Sequence, residues 1–449
     1  MNTLSIPSIP QQISRRDLDR LRAYRENLDF YNGIQWQGIG RRGERRLIFN
    51  YAKTFIDKLA SYLMSGVEVV IEPQDTSEES GEQARRAQEA LHRVYDVNGL
   101  EQLDFETELD ASILGDGCYK VTWDPHSQQV RVTSPDVQGI YAWWVGDDPS
   151  RVWRIASSYK LSWEEAQMIY DIAIPSTEQL HQQGVTIVEV WSETSFQLWL
   201  GSTSSPGGGG SLLQERANPY GFIPFIPFPN LREPKKFWGQ SDLALLKEPS
   251  RELNRALSQL SMILELSGNP IAVLEGVHEA QDIAVQPGAV WELPEQARAY
   301  LLDLLQGGGI KLHIDFIDLV YRALHDLSEA PRTAFGDNPR NLSGVALEME
   351  MHPLLQRVRR KRLIRTAVYK QRNEMILRIL EEKTGVRYLP VRQRLMWGQL
   401  LPQDRGRLVR DEQILVESGV HSRRRAMEEL GVGNPEAEWA RIKEEGGIG

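Results

Sequence analysis

The chain has 449 residues, 41% hydrophobic and 25% charged, with a formal net charge of −10 and one cysteine. That length exceeds a single compact core and predicts two or more domains, while the acidic balance argues against a surface that grips nucleic acid all over. The lone Cys118 excludes an internal disulfide and a thiolate zinc cluster and fits a reducing cytosol. No apolar run approaches the ~18 residues that span a bilayer, and Met1 to Gln12 lacks the basic start and apolar core of a signal peptide.

Ser14 to Tyr31 reads as an amphipathic helix, with Ser14 as N-cap, Asp17 three residues on, and Leu18, Leu21, Tyr24 and Leu28 as its stripe. Gly38 to Arg46 is a glycine- and arginine-rich loop. Asn50 to Met64 is a second helix, stopped by Gly66 and followed by the strand Val67–Glu72. Gln83 to Leu114 holds two helical segments. Gly115 and Gly117 then break to the alternating strands Cys118–Trp123 and Gln129–Thr133, a hairpin pattern. Val152–Lys160 and Thr186–Leu200 add strands, and Gly201 to Gln214 is a glycine- and serine-rich turn inside a hairpin. Helices first and strands later indicate an α+β domain. A helix runs from Pro249 to Leu266 with the stripe Leu253, Leu257, Leu260 and Leu264. Ile271 to Leu293 has strand character, and Glu295 to Leu305 returns to helix.

Gly308 to Ala330 forms the next helix: Ile310, Ile314, Ile317, Tyr321, Leu324 and Leu327 recur at helical spacing, opposite Lys311, Asp315, Asp318, Arg322, Asp326 and Glu329. Pro331 ends it. A polar loop, Arg332 to Leu342, leads into a long helix carrying eight basic residues from Arg357 to Arg372 with no acidic residue between them. Such a run suits either phosphate or acidic surfaces on neighbouring copies. The interspersed Leu363, Ile364, Val368 and Ile376 favour a packed helix whose Arg357, Arg359, Arg360 and Arg362 make ion pairs at a subunit interface. Arg332 and Arg340, short of apolar neighbours, are expected to be free to reach a ligand. After Gly385 and Pro390, Asp411–Arg423, Met427–Gly431 and Asn434–Glu445 read as three short helices.

The helix, the loop running into Ser343-Gly-Val-Ala-Leu347 and the long helix resemble the core of a tailed-phage portal protein, closest to the long-tailed-phage branch. Asn50 before a hydrophobic helix, Gly221-Phe-Ile-Pro224 before Gly239-Gln-Ser-Asp-Leu243, and Gly419-Val-His-Ser422 add to the resemblance in the family's order. The resemblance implies an α+β portal fold assembled as a ring, in twelve copies, around a central channel. It assigns residues 1–236 to the wing, 237–267 to the first stem helix, 268–307 to the clip, 308–330 to the second stem helix, 331–342 to the channel loop, 343–385 to the wing's long helix and 386–449 to the crown. Lys311, Asp315, Asp318 and Arg322 would line the channel, with Arg332, Thr333, Phe335, Asn338, Arg340, Asn341 and Leu342 facing double-stranded DNA. The implied partners are the large terminase, major capsid and scaffolding proteins and a head–tail adaptor. The implied location is the capsid portal vertex of the virion, after assembly in the host cytoplasm. An acidic or mixed wall suits moving DNA, because tight phosphate binding would act as a brake.

No phosphate loop, His-Glu-x-x-His or Gly-x-Ser-x-Gly motif is present. The eight histidines lack ligand spacing, so no catalytic residue, metal or cofactor is expected. A DNA-processing enzyme subunit of the packaging machinery is the competing reading; a membrane pore would need lipid-facing apolar segments.

Overall fold

The computed structural model describes residues 8–13, 15–40, 42, 44–172, 184–201, 210–268, 271–275, 298–302, 309–336, 344–400, 405–432 and 435–444. The chain divides into two compact units, Met1–Met396 and Trp397–Gly449.

The larger unit opens with helices α1 (Ile9–Ile13), α2 (Leu18–Tyr31) and α3 (Tyr51–Leu63), strand β1 (Val67–Glu72), and helices α4 (Glu78–Asn98) and α5 (Leu100–Leu114). Local chemistry sets these boundaries. The Asn50 side chain accepts from Lys53 N to start α3, and Ser77 accepts from Ser80 N to start α4, with Glu78 and Glu79 at its positive end. Gly99, at φ 57°, divides α4 from α5, a left-handed turn that glycine adopts without strain.

Strands β2 (Asp116–Asp124) and β3 (Gln129–Thr133) form the expected hairpin, with β9 (Phe225–Pro229) on the other edge of β2. Strands β4 (Ile140–Val145), β5 (Asp148–Leu161), β6 (Val185–Trp191), β7 (Ser195–Gly201) and β8 (Ser211–Ala217) make an antiparallel sheet in sequence order. The apolar patches at 140–145 and 221–228 are thus buried strands, which periodicity alone cannot separate from short helices. The single strand expected over Thr186–Leu200 is two, turning at Ser192–Thr194. A helix unforeseen from the sequence, α6 (Trp163–Tyr170), follows β5 behind a capping box between Ser162 and Glu165.

Further on lie a helix over Lys247–Gly268, strands β10 (Ile271–Glu275) and β11 (Arg298–Leu302), a helix over Gly309–Ser328, the long helix Gly344–Thr384 and strand β12 (Arg392–Trp397), which pairs with β1. The core sits where α3, α4 and α5 meet the long helix, with Ile56, Leu59, Leu63, Leu91 and Leu100 all at most 1% exposed. Pro353 lies inside the long helix.

Three sequence expectations need correction. The helix expected over Glu295–Leu305 is strand β11, paired antiparallel to β10 with Val273 opposite Tyr300; a short apolar run takes the form its partner offers. The N-terminal helix begins at Leu18, and Asp17, at φ 55°, gives no capping hydrogen bond but accepts from Arg20. Ser14 lies outside the described residues. The separate α1 was not foreseen; its Ile9 and Ile13 pack on Tyr141, Ala156, Val188 and Val190 of the five-stranded sheet.

The smaller unit contains helices over Arg405–Glu417, Arg423–Glu429 and Pro435–Glu444. The first begins six residues earlier than expected and ends before Gly419, at φ 73°. The second starts at Arg423 because Ser422 accepts from Arg425 N at 3.2 Å.

Candidate functional site: the stem helix, its loop and the buried charge ladder

On the helix Gly309–Ser328, Lys311, Asp315 and Arg322 are exposed, Asp318 is half-buried, and the four share one stripe. Beside them a second stripe, Leu312, Phe316 and Leu319, is also exposed, at 72%, 40% and 61%. The sequence placed apolar residues on one side only. In a single chain this helix shows solvent a polar and an apolar face together.

Past Pro331, Arg332 to Phe335 form a 3-10 turn. Arg332 is not free, contrary to the expectation from sequence. Its Nη2 donates to Asp318 Oδ1 at 2.9 Å, and its guanidinium lies 4.7 Å from the Tyr321 ring centroid. Hydrogen bonds from Arg332 and then Arg322 lower the Asp318 carboxyl's pKa. Phe335 meets the His325 ring edge-on at 5.3 Å, and His325 Nδ1 donates to Ala330 O at 2.7 Å. Thr333 Oγ1 lies 3.7 Å from Met351 Sδ. The start of the loop is therefore folded back on the helix that precedes it. Asn338, Arg340, Asn341 and Leu342 lie outside the described residues.

The basic run on the long helix has partners inside its own chain. Arg357, Lys361, Arg365 and Arg372 recur at three- to four-residue multiples, the spacing of one helical face, and all are buried. Arg357 Nη2 donates to Asp242 Oδ1 at 2.7 Å and its Nη1 to Ser328 O at 3.2 Å. Lys361 Nζ reaches Asp242 at 2.6 Å, Ser112 at 2.9 Å and Glu108 at 3.1 Å. Arg365 spans Glu108 at 2.7 and 3.0 Å and the Asn230 side chain at 2.9 Å. Arg372 grips Asp104 through both Nη atoms and stacks near Tyr119 and Tyr369. Burial alone would raise the Asp242 and Glu108 carboxyls; the adjoining cations outweigh it, and both lie below the ordinary range.

The four residues expected at a subunit interface therefore separate. Arg357 is committed to Asp242. Arg362 donates to Leu63 O at 3.2 Å and Ser65 Oγ at 2.9 Å, placing its charge at the negative end of α3, and burial pulls its pKa down to about 10. Arg360 pairs with Glu329 at 2.6 Å but stays half-exposed, and Arg359 is exposed.

The acidic half of this ladder was missed from sequence. Asp242 stands in the Gly239-Gln-Ser-Asp-Leu243 motif, whose presence was noted without a role. Ser241 Oγ donates to Ile113 O at 2.6 Å and accepts from Leu243 N, which fixes the turn presenting Asp242. The turn demands glycines: a Cβ on Gly239 would meet Gly115 O at 2.5 Å, and one on Gly115 would meet Ser241 N at 2.9 Å. Glu108 and Asp104 lie on α5, where they looked like solvated helix charges.

Among the described residues no group of three or more His, Cys, Asp or Glu side chains is arranged to hold a metal, and no helix is long and apolar enough to cross a membrane.

A fold whose long helix is bolted through its core by basic side chains, with a helix and loop before it, is a structural subunit rather than a catalytic cleft. The family model "Phage portal protein, SPP1 Gp6-like" matches residues 11–447, nearly the whole chain, and the chain belongs to that family. It is a bacteriophage virion protein, a ring-forming component of the capsid that works with terminase in genome packaging, and its family is structural rather than catalytic. No curated protein matches it as a relative.

Proposed function

We propose that this chain is the subunit of a twelve-membered portal ring at one capsid vertex. Double-stranded DNA is driven through its channel by the large terminase and later leaves by the same path, and a head–tail adaptor attaches after packaging. Residues 308–330 form the channel-lining stem helix, 331–342 the channel loop, 268–307 the clip and 386–449 the crown. Arg359 and Arg360 are the two residues of the basic run left to face a neighbouring copy.

The observation that carries this reading is the second stem stripe. Leu312, Phe316 and Leu319 leave a large apolar strip uncovered on a helix whose adjacent stripe is charged. Exposed apolar strips of this kind mark contact with another chain, while Lys311, Asp315, Asp318 and Arg322 carry a mixed charge that does not hold phosphate tightly. Native mass spectrometry with negative-stain imaging tests it. Rings with a central hole support the portal; a stable monomer or dimer at micromolar concentration overturns it in favour of a DNA-processing subunit.

A further inference from the structure

Helix α6 is an unusual projection. Met168 is 79% and Ile169 52% exposed, while Ala166 is fully buried against the sheet. Glu164, Glu165 and Asp171 surround these apolar side chains, the helix has no basic residue, and none of the three carboxylates is in an ion pair. The projection is firmly mounted. Ser162 and Glu165 cap it, and Tyr170 OH donates to the buried Glu189 at 3.1 Å.

A complementary cavity of about 600 Å³ opens between the long helix and strands β5 and β9, walled by Ile223, Phe237, Trp238, Ile364 and Leu363, the last 75% exposed. A second hollow shares Val152 and Glu193 with it. Together they carry Arg151, Arg154 and Arg232, and none of these three is in an ion pair. Arg154 is packed instead against the Trp143 and Trp153 rings, and burial lowers its pKa. Glu193 is the one exposed carboxylate on this wall. The groove thus offers an apolar slot with a surplus of unpaired cations, and α6 an apolar tip among three unpaired carboxylates.

The two features cannot meet within one chain. Strand β5 runs from the groove, which Val152 lines, to Leu161 beneath α6, about 30 Å at ~3.3 Å per residue. Different patches at opposite ends of one rigid sheet are what a heterologous, ring-closing contact requires. We infer that α6 of one copy seats in the Arg151–Arg154–Arg232 groove of the next copy, Met168 and Ile169 entering the apolar slot and the acidic residues meeting the arginines. This rests on the ring reading above and names one of its contacts.

The single native cysteine makes the test clean, because Cys118 is 1% exposed and burial raises its thiol pKa. Full-length Met168→Cys/Leu363→Cys rings, treated with a short bis-maleimide, should give a ladder of covalent multiples on a denaturing gel. Each single variant should give none. Both substitutions are at exposed side chains, so folding is not at stake. A second arm reverses charge: Glu164→Lys or Arg232→Glu alone should weaken each contact about fivefold, and the pair together should restore ring yield. Rings of full mass with no ladder, or crosslinking by Met168→Cys alone, overturn this contact while leaving the portal intact. A wild-type chain that stays monomeric overturns the ring reading and this contact with it.

Discussion

Replacing Asp242 with Asn removes one charge from the middle of the ladder while keeping its shape. In the wild type, Arg357, Lys361 and Arg365 face Asp242, Glu108 and, at the rim, Glu329. The variant leaves three cations against two carboxylates, and Lys361 and Asp242 are both 0% exposed. Removing one partner of a buried pair costs roughly 3–5 kcal/mol, because the other charge stays desolvated. Lys361→Met alone should cost a similar amount. The double variant returns the site to two cations and two carboxylates, and should cost at least about 2 kcal/mol less than the sum of the singles. Urea unfolding followed by tryptophan fluorescence measures all three. Asp242 is held below its ordinary pKa, so its contribution is present above the carboxylate range and lost as pH falls through it. The gap between wild type and Asp242→Asn should therefore be constant near neutrality and close only below about pH 4. Strictly additive costs, or a loss under 1 kcal/mol for Asp242→Asn, would refute the ladder as the anchor of the long helix.

Asp116 titrates in the opposite sense: burial pushes its pKa up to about 6 from 3.8, although Tyr24 OH donates to it. Its stability contribution is full below the ordinary value and lost between about pH 4 and pH 6, so Asp116→Asn should flatten that window and gain up to ~3 kcal/mol at pH 7. Arg360→Ala breaks a half-exposed pair and should change unfolding by no more than ~1 kcal/mol, while Arg357→Ala costs several times as much. Exchanging both Arg332 and Arg340 for Glu should impair DNA packaging or retention while rings still form; normal packaging by that variant removes the loop from the DNA path. Purified rings should show no ATPase or nuclease turnover, and activity abolished by a point mutation in this chain would restore the enzyme reading.

Where periodicity was long and capped, the fold was legible in the sequence: Asn50, Gly66, Gly99 and Pro331 mark boundaries through backbone chemistry that needs no tertiary partner. The hairpin at Gly115–Thr133 was equally open. The short runs around Ile140, Phe225 and Arg298 were not, because four or five apolar residues fit a buried strand or a helix turn until a neighbour decides. The charge ladder shows the same limit at longer range. Sequence displays four basic residues on one face, but the carboxylates that neutralise them come from residues more than a hundred positions away. An arginine-rich face then looks like a surface, when it is a core. Arg332 was misread for a related reason: Asp318 sits fourteen residues earlier, a separation that only the turn at Pro331 closes.

The position of Pro353 divides the long helix mechanically. A proline there lacks the N–H that would bond the Met349 carbonyl, so one rung of the helical ladder is absent. The ladder of buried ion pairs begins four residues later, at Arg357, and continues to Arg372. Everything C-terminal to the gap is clamped like a beam set into a wall, and the stretch Gly344–His352, with Met349 73% exposed, is the free end of a cantilever. A push delivered through the loop bends that free end at its softest point. The wing behind the clamp does not feel it, so loops around a channel can shift one at a time without loosening the subunits that carry them.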